Sequence, residues 1–289
     1  MSKSGSWLNT VKVVVAFILL AFSLKFLSTI DTTRHLNILP REIFLSLWIV
    51  IFGLLGFYLL GKIKLPNDGD LKNIPVPRFI LAIITFSFVV YMIPGLFGAN
   101  LKLISAFLPP ETNQQTLVLG SENNTKQVAA SELCGTPKYS DFLELPYGLQ
   151  GYFEYNEGLA CAKAKNKPVF LDIKGHACAN CKKMEGQVWS DPRVLEKLRN
   201  DFIIVALYCD DKYKLPENEW VKTSDGSVLK TIGDINLNLE IRKFNINTQP
   251  YYAVLDHNGN PLATSETNLN IDEYLKFLED GKNKFYKQN

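Results

Sequence analysis

The apolar residues of this chain crowd into its first 108 positions as three long stretches: Val13 to Ile30 interrupted only by Lys25, Ile43 to Leu60, and Phe79 to Leu101. Each approaches the roughly 20 residues that cross a bilayer as a helix, the form in which a backbone satisfies its own polar groups in lipid. Residues 1–108 are therefore expected to form a three-helix transmembrane region. A cleaved signal peptide would suit Lys3 and Lys12 before the first stretch, but no small-residue cleavage site follows it, so an uncleaved span is favoured. Gly53 and Gly56 offer a close-packing face on the second span, and Pro94-Gly95 marks a kink or end of the third.

The Lys and Arg distribution orients these spans. The segment from Gly61 to Arg78 carries Lys62, Lys64, Lys72 and Arg78, whereas that from Asp31 to Glu42 carries only Arg34 and Arg41. The first should face the cytoplasm, which puts everything after Leu108 outside. In a Gram-negative host that is the periplasmic side of the inner membrane. A net charge of +2, without a basic tract interleaved with aromatics, argues against a nucleic-acid partner.

Residues 109–145 turn polar and read as a linker or arm, with Cys134 near its end. A soluble domain over 146–289 follows. Tyr155 to Lys165 predicts a helix, Val169 to Ile173 a first buried strand, and Ser190-Asp191-Pro192 the start of a helix with Val194, Leu195 and Leu198 on its apolar face. Phe202 to Cys209 predicts a second buried strand, Asp210 to Gly233 a polar insertion, and Asn236 to Phe244 a short helix. Tyr251 to Asp256 and Pro261 to Thr264 form a hairpin, and Ile271 to Tyr286 a closing helix. The class is a small α/β sandwich behind three transmembrane α-helices.

Between the first strand and its helix lies VFLDIKGHACANCKKME, residues 169–185, with Cys178 in the helix's first turn and Cys181 one turn on. Unpaired N–H groups and the helix dipole lower the pKa of a thiol placed there, and the spacing suits a reversible disulfide. The same spacing also serves half a zinc site, a Cu(I)-carrier loop or haem attachment. Lys182 replaces the His that haem attachment needs, and Cys134, Cys161 and Cys209 are scattered singly, so no four-cysteine zinc site forms. The carrier loop G-x-x-C-x-x-C is satisfied by Gly175 to Cys181 and stays open; it predicts two strand-helix-strand units. Five cysteines leave at least one thiol free in a monomer. Cys161 and Cys209 are expected as small core residues, and Cys134 as an unpaired thiol.

The order of elements is that of the thioredoxin fold, in which the Pro opening the third strand is cis and faces the dithiol. Gln249-Pro250 occupies that place. More closely, GLQGYFEYNEGLACAKAKNKPVFLDIKGHACANCKKME, VWSDPRV, LYCDD and QPYYAVLDHNGNPL, with the three spans, resemble the carboxy-terminal part of the DsbD family of membrane thiol:disulfide interchange proteins. The resemblance implies a protein-disulfide reductase that takes electrons from a membrane relay and reduces periplasmic disulfide-containing proteins, among them disulfide isomerases and cytochrome c maturation thioredoxins. The family's amino-terminal domain and first spans have no counterpart here, and no cysteine precedes Cys134. The relay must therefore come from elsewhere; KSGSWLNTVK resembles an interior family segment, which favours a truncated chain.

On this reading Cys178 is the nucleophile, Cys181 resolves the mixed disulfide, and the Cys178–Cys181 couple stands in place of any cofactor, with no metal expected. Asp172 and Glu185 match acidic family positions and would raise the Cys178 pKa, which suits a reductant. His176 could act oppositely if protonated, although a loop His is more often exposed. Lys174, Lys182 and Lys183 read as a solvated rim. Gln249 and Pro250 would line the substrate groove. A membrane-tethered docking module with a merely structural disulfide is the other alternative.

Overall fold

The computed structural model describes residues 3–66, 68–69, 73–110 and 133–288. Lys72 and most of the polar arm, 111–132, fall outside these. The membrane region consists of α1 (Lys3–Arg34), α2 (Arg41–Leu59) and α3 (Val76–Met92). Three helical stretches, Trp7–Arg34, Arg41–Leu59 and Val76–Phe97, are long and apolar enough to cross a membrane. α2 supplies most of their shared core through Phe44, Leu45, Trp48, Leu55 and Tyr58, whereas Leu19, Phe26, Ile84 and Val90 of α1 and α3 point outward. A Cβ on Gly56 would lie 2.7 Å from the Phe86 ring, so this glycine does let α3 approach; Gly53 has no such neighbour. After Met92 the chain tightens into a 3₁₀ turn, Ile93–Phe97, because Pro94 can neither donate to the helix ladder nor fit its preceding turn.

The second region contains β1 (Gly151–Tyr152), α4 (Tyr155–Lys165), β2 (Val169–Lys174), α5 (Ala179–Met184), α6 (Pro192–Asp201), β3 (Ile203–Tyr208), β4 (Val221–Lys222), β5 (Val228–Leu229), α7 (Ile232–Phe244), β6 (Tyr251–Leu255), β7 (Pro261–Ser265) and α8 (Ile271–Gln288). The main sheet runs β1-β3-β2-β6-β7, with β1, β3 and β2 parallel and β6 and β7 antiparallel. Two strand-helix-strand units of a metal carrier do not account for this sheet, whose antiparallel half is a terminal hairpin. β1 went unread because two residues display no period. α7 starts four residues earlier than its apolar pattern suggests, since Thr231 and Asp234 form a reciprocal capping box. The polar insertion carries the small β4–β5 hairpin.

Strand alternation decides what each face of β2 offers. Val169, Leu171 and Ile173 join the core beneath α4 and α7. Phe170 joins the opposite core with Met184, Val188, Trp189, Leu198, Tyr252 and Tyr274. Asp172 and Lys174 share the parity of Phe170, so the fold drives a carboxylate and an ammonium into the side that α5 covers.

Among the described residues the two regions hydrogen-bond at two places. Asn100 Nδ2 donates to Gly186 O at 2.9 Å, and Gln187 Nε2 donates to Lys102 O at 3.0 Å, seating the turn after α5 on the segment after α3. At the other, Lys212 N donates to Thr33 O at 2.9 Å, and His35 meets Asp211.

Candidate functional site

The site is built where β2 ends. Gly175 turns the chain under a crowded ceiling, since a Cβ there would lie 2.8 Å from Gln249 Oε1 and 2.9 Å from Asp210 Oδ2. Asp210, just beyond β3, accepts from the N–H groups of His176 (2.7 Å) and Ala177 (2.8 Å) and so pins the loop before the cysteines. Cys178 is the N-cap of α5, its sulfur accepting from Cys181 N at 3.0 Å. The two form a disulfide with Cα atoms 5.3 Å apart. Cys178 is half-buried and Cys181 only 1% exposed, so a partner's sulfur can reach the first alone.

Cys178 opens onto a groove of about 400 Å³ shared with Ala177, Asp210, Asn247, Thr248 and Gln249. The Gln249–Pro250 peptide is cis, as its place in the fold predicted. Glu240, buried in α7, holds that wall: its carboxylate accepts from Thr248 N at 2.8 Å and from Gln249 Nε2 at 3.3 Å.

Beneath α5 lies a buried ionic cluster. Asp172 is 1% exposed and neither oxygen has a hydrogen-bond donor; Lys174 Nζ stands 3.4 Å from Oδ2 without hydrogen-bond geometry. Burial pushes the Asp172 carboxyl up to about 6, with Lys174 opposing the rise. Lys174 itself pairs with Glu185 and lies over the rings of Trp189 (5.7 Å) and Tyr208 (5.1 Å). Burial works to lower the Lys174 pKa, but Glu185, Tyr208 and Asp172 override it and hold the ammonium well above its usual value. Glu185 opens a π-helical turn, Glu185–Trp189, and its carboxylate reaches back to Lys174.

Several expectations change. Lys174 is no solvated rim residue but 4% exposed; its strand parity turns it inward. Lys182 and Lys183 are half-buried, and burial, with Lys25 adding to it, draws Lys182 down to about 8. His176 is 7% exposed rather than free in a loop, because its ring stacks on Tyr208 with centroids 4.3 Å apart and its Nε2 lies 2.9 Å from Asp211 Oδ2. Cys134 is not unpaired, nor is Cys161 a simple core thiol: they form a second disulfide, Cα atoms 5.5 Å apart, that pins the end of the arm to α4. Cys209 alone is free among the described residues; it is buried as expected, and burial, with Glu240 nearby, pushes its thiol up out of reactive range. Asp210, Glu240 and the His35–Asp211 contact went unread. The aspartates of LYCDD and the Glu240 of NLNLEIRKF were a faint signal, without anything to say what they would face.

Residues 155–282 match the model of a thioredoxin-like domain family. The thiol:disulfide interchange proteins DsbD of Campylobacter jejuni strain RM1221 and of strain NCTC 11168 are each 25% identical over 224 residues, 76% of this chain. The chain is DsbD-like. This DsbD-like chain spans 31% of the length of those relatives. Among solved structures it is similar to a DsbH oxidoreductase (18% identity, 56% of this chain and 95% of the other, TM-score 0.38) and to a thioredoxin from Thermus thermophilus (21% identity, 45% and 84%, TM-score 0.33).

Proposed function

We propose that this protein is a membrane-anchored thiol–disulfide oxidoreductase that passes electrons from a membrane relay to oxidised periplasmic proteins, in support of disulfide isomerisation and cytochrome c maturation. The observation that carries the reading is the Cys178–Cys181 disulfide at a helix start, whose half-buried first cysteine opens onto the groove beside Gln249 while the second is buried. The excess of Lys and Arg in the Gly61–Arg78 segment supports a periplasmic position for this site.

In the reduced state the Cys178 thiolate attacks one sulfur of a partner's disulfide, and the other partner sulfur leaves as a thiolate. Cys181 then gives up its proton, with Asp172 assigned as the acceptor in this scheme, and attacks the Cys178 sulfur, so that the partner's sulfur leaves as a thiolate. The partner departs with two electrons, and the pair returns to the disulfide. The groove wall at Asn247-Thr248-Gln249 offers backbone and side-chain amides to an extended partner segment, with Pro250 buried just behind it. A relay dithiol supplied by other spans must reduce the pair for the next turn.

The deciding measurement is the potential of the Cys178/Cys181 couple in the full chain in detergent, equilibrated with glutathione buffers and read by alkylation and mass. A potential below about −220 mV is expected of a reductant. One above about −150 mV means an oxidant or isomerase and reverses the proposed electron flow.

A further inference from the structure

Outside the redox pair, one group of side chains converges without a role: His35 at the end of α1, His176 in the loop before Cys178, and Asp211 after β3. Both imidazole Nε2 atoms point at one carboxylate oxygen, His35 at 2.8 Å and His176 at 2.9 Å, and all three atoms lie within 4.8 Å of one another. Asp211 is fully buried, and its ion-pair partners among the described residues are these two imidazoles, with no Lys or Arg. The two imidazoles meet its hydrogen bonding, but among the described residues no fixed cation accompanies this buried carboxylate, and burying an anion without one is costly.

Each group is also held in place. Asp211 Oδ1 accepts from Tyr213 N at 2.7 Å, and its carbonyl accepts from Gly233 N at 3.1 Å. His176 is stacked on Tyr208, and His35 packs edge-on against Phe142, which stacks on Tyr213. His35 itself stands at φ 54, a left-handed conformation, in a turn fixed by Asp31, whose carboxylate accepts from Ile38 N (2.9 Å) and Leu39 N (3.0 Å). Two imidazoles and a carboxylate, oriented by an outer layer of backbone donors and aromatic walls, have the constitution of a three-ligand transition-metal site.

We propose that His35, His176 and Asp211 bind a divalent transition metal ion, with Zn²⁺ the ion their chemistry suits, and that the ion fastens the end of α1 to the loop carrying Cys178. Tetrahedral zinc with bonds of about 2.0–2.1 Å separates its ligand atoms by roughly 3.3 Å, so each N···O spacing opens by about half an ångström as the ion enters, and each imidazole binds it through Nε2 while carrying its one proton on Nδ1. His35 is the partly exposed ligand and the one from another region, so its side of the site admits the ion and a fourth, water ligand. The inference is independent of the redox reading, since a chain without its dithiol retains all three ligands.

The test uses the full chain in detergent with Cys178→Ser and Cys181→Ser, so that no thiol pair competes. It is stripped with a chelator and titrated with Co²⁺, then with Zn²⁺. Visible d–d bands that saturate at about one equivalent and vanish on adding Zn²⁺ are expected. His35→Gln should weaken uptake at least tenfold and abolish the rise in Tm that Zn²⁺ gives the parent. Asp211→Asn should do the same; if its fold suffers, His35→Gln at the helix end still decides. Absence of saturable bands in the parent, or uptake unchanged by His35→Gln, overturns the proposal and leaves a hydrogen-bonded imidazole pair.

Discussion

Two disulfides lie in one domain under the same solvent, and they are built for opposite ends. Cys134–Cys161 joins residues 27 apart, and the α4 end of the bridge, Cys161, is 3% exposed. Cys178–Cys181 joins residues 3 apart at a helix start, with a groove on one side and titratable groups beneath. In the chain-entropy picture the long bridge constrains the unfolded chain by about 3–4 kcal/mol and the short one by about 2 kcal/mol. The short bridge therefore gives up least on opening; Cys134 is exposed and Cys178 half-buried, but only Cys178 opens onto the groove beside Gln249. Reactivity here comes from surroundings rather than from the bond.

The sharpest break between the two bridges is chemical. Cys178→Ser should abolish reduction of a partner disulfide, a loss of several orders of magnitude in rate, while Cys181→Ser should accumulate a mixed disulfide visible by mass under non-reducing conditions. Cys134→Ala with Cys161→Ala should leave that rate within a factor of about two and instead cost about 3 kcal/mol in stability, read by denaturant unfolding of the full chain in detergent. If removing the long bridge stops exchange while the fold survives, the division of roles is wrong.

Most of the fold was legible because its elements are long and patterned. The three spans, α4, α6 and the buried strands announce themselves by length, apolar run or cap, and the Cys178–Cys181 pair stands next to a strand and a helix that fix its place. The Cys134–Cys161 bridge was not legible, since nothing local in a polar arm says which helix it returns to. Nor was the inward turn of Lys174: parity puts it on the side of Phe170, but only the return of Glu185 from a π-helical turn makes that burial tolerable. His176 misled for a related reason. A histidine's surroundings come from distant segments, here Tyr208, Asp211 and, from the turn after α1, His35.

Asp172 offers a measure that touches only the reactive bridge. Its folded carboxyl, at about 6, lies above the ordinary value of 3.8, so the folded state binds the proton more tightly than the unfolded chain does. Stability from this group is therefore greatest at low pH, falls as pH rises from about 4 to about 6, and stays reduced above that, by up to about 3 kcal/mol in all. Asp172→Asn should remove that fall and unfold later than the parent at pH 7, while slowing resolution of the mixed disulfide by Cys181. Equal unfolding midpoints for parent and variant across pH 4–8 would show that Asp172 is not held as a strained buried acid. The Cys134–Cys161 bridge, remote from this carboxyl, should give the same increment of stability in both.

The smallest effect concerns what lies against the reactive bridge's helix. Gly186 sits in the turn after α5, where a Cβ would come 2.4 Å from Ser105 Cβ, and its carbonyl accepts from Asn100 of the segment after α3. Gly186→Ala should force these apart at a cost of about 1–3 kcal/mol, far less than loss of the core, because the strain is released by lifting one surface from another. Hydrogen exchange should quicken at residues 100–107 and 185–189 and stay unchanged around Cys134 and Cys161. Pairing it with Ser105→Gly should restore protection, since the clash is between two Cβ atoms and the second substitution removes one of them. Unchanged protection in Gly186→Ala alone would mean that the redox helix does not rest on the membrane region in solution, and that the reactive bridge is set apart from the structural one by its own domain.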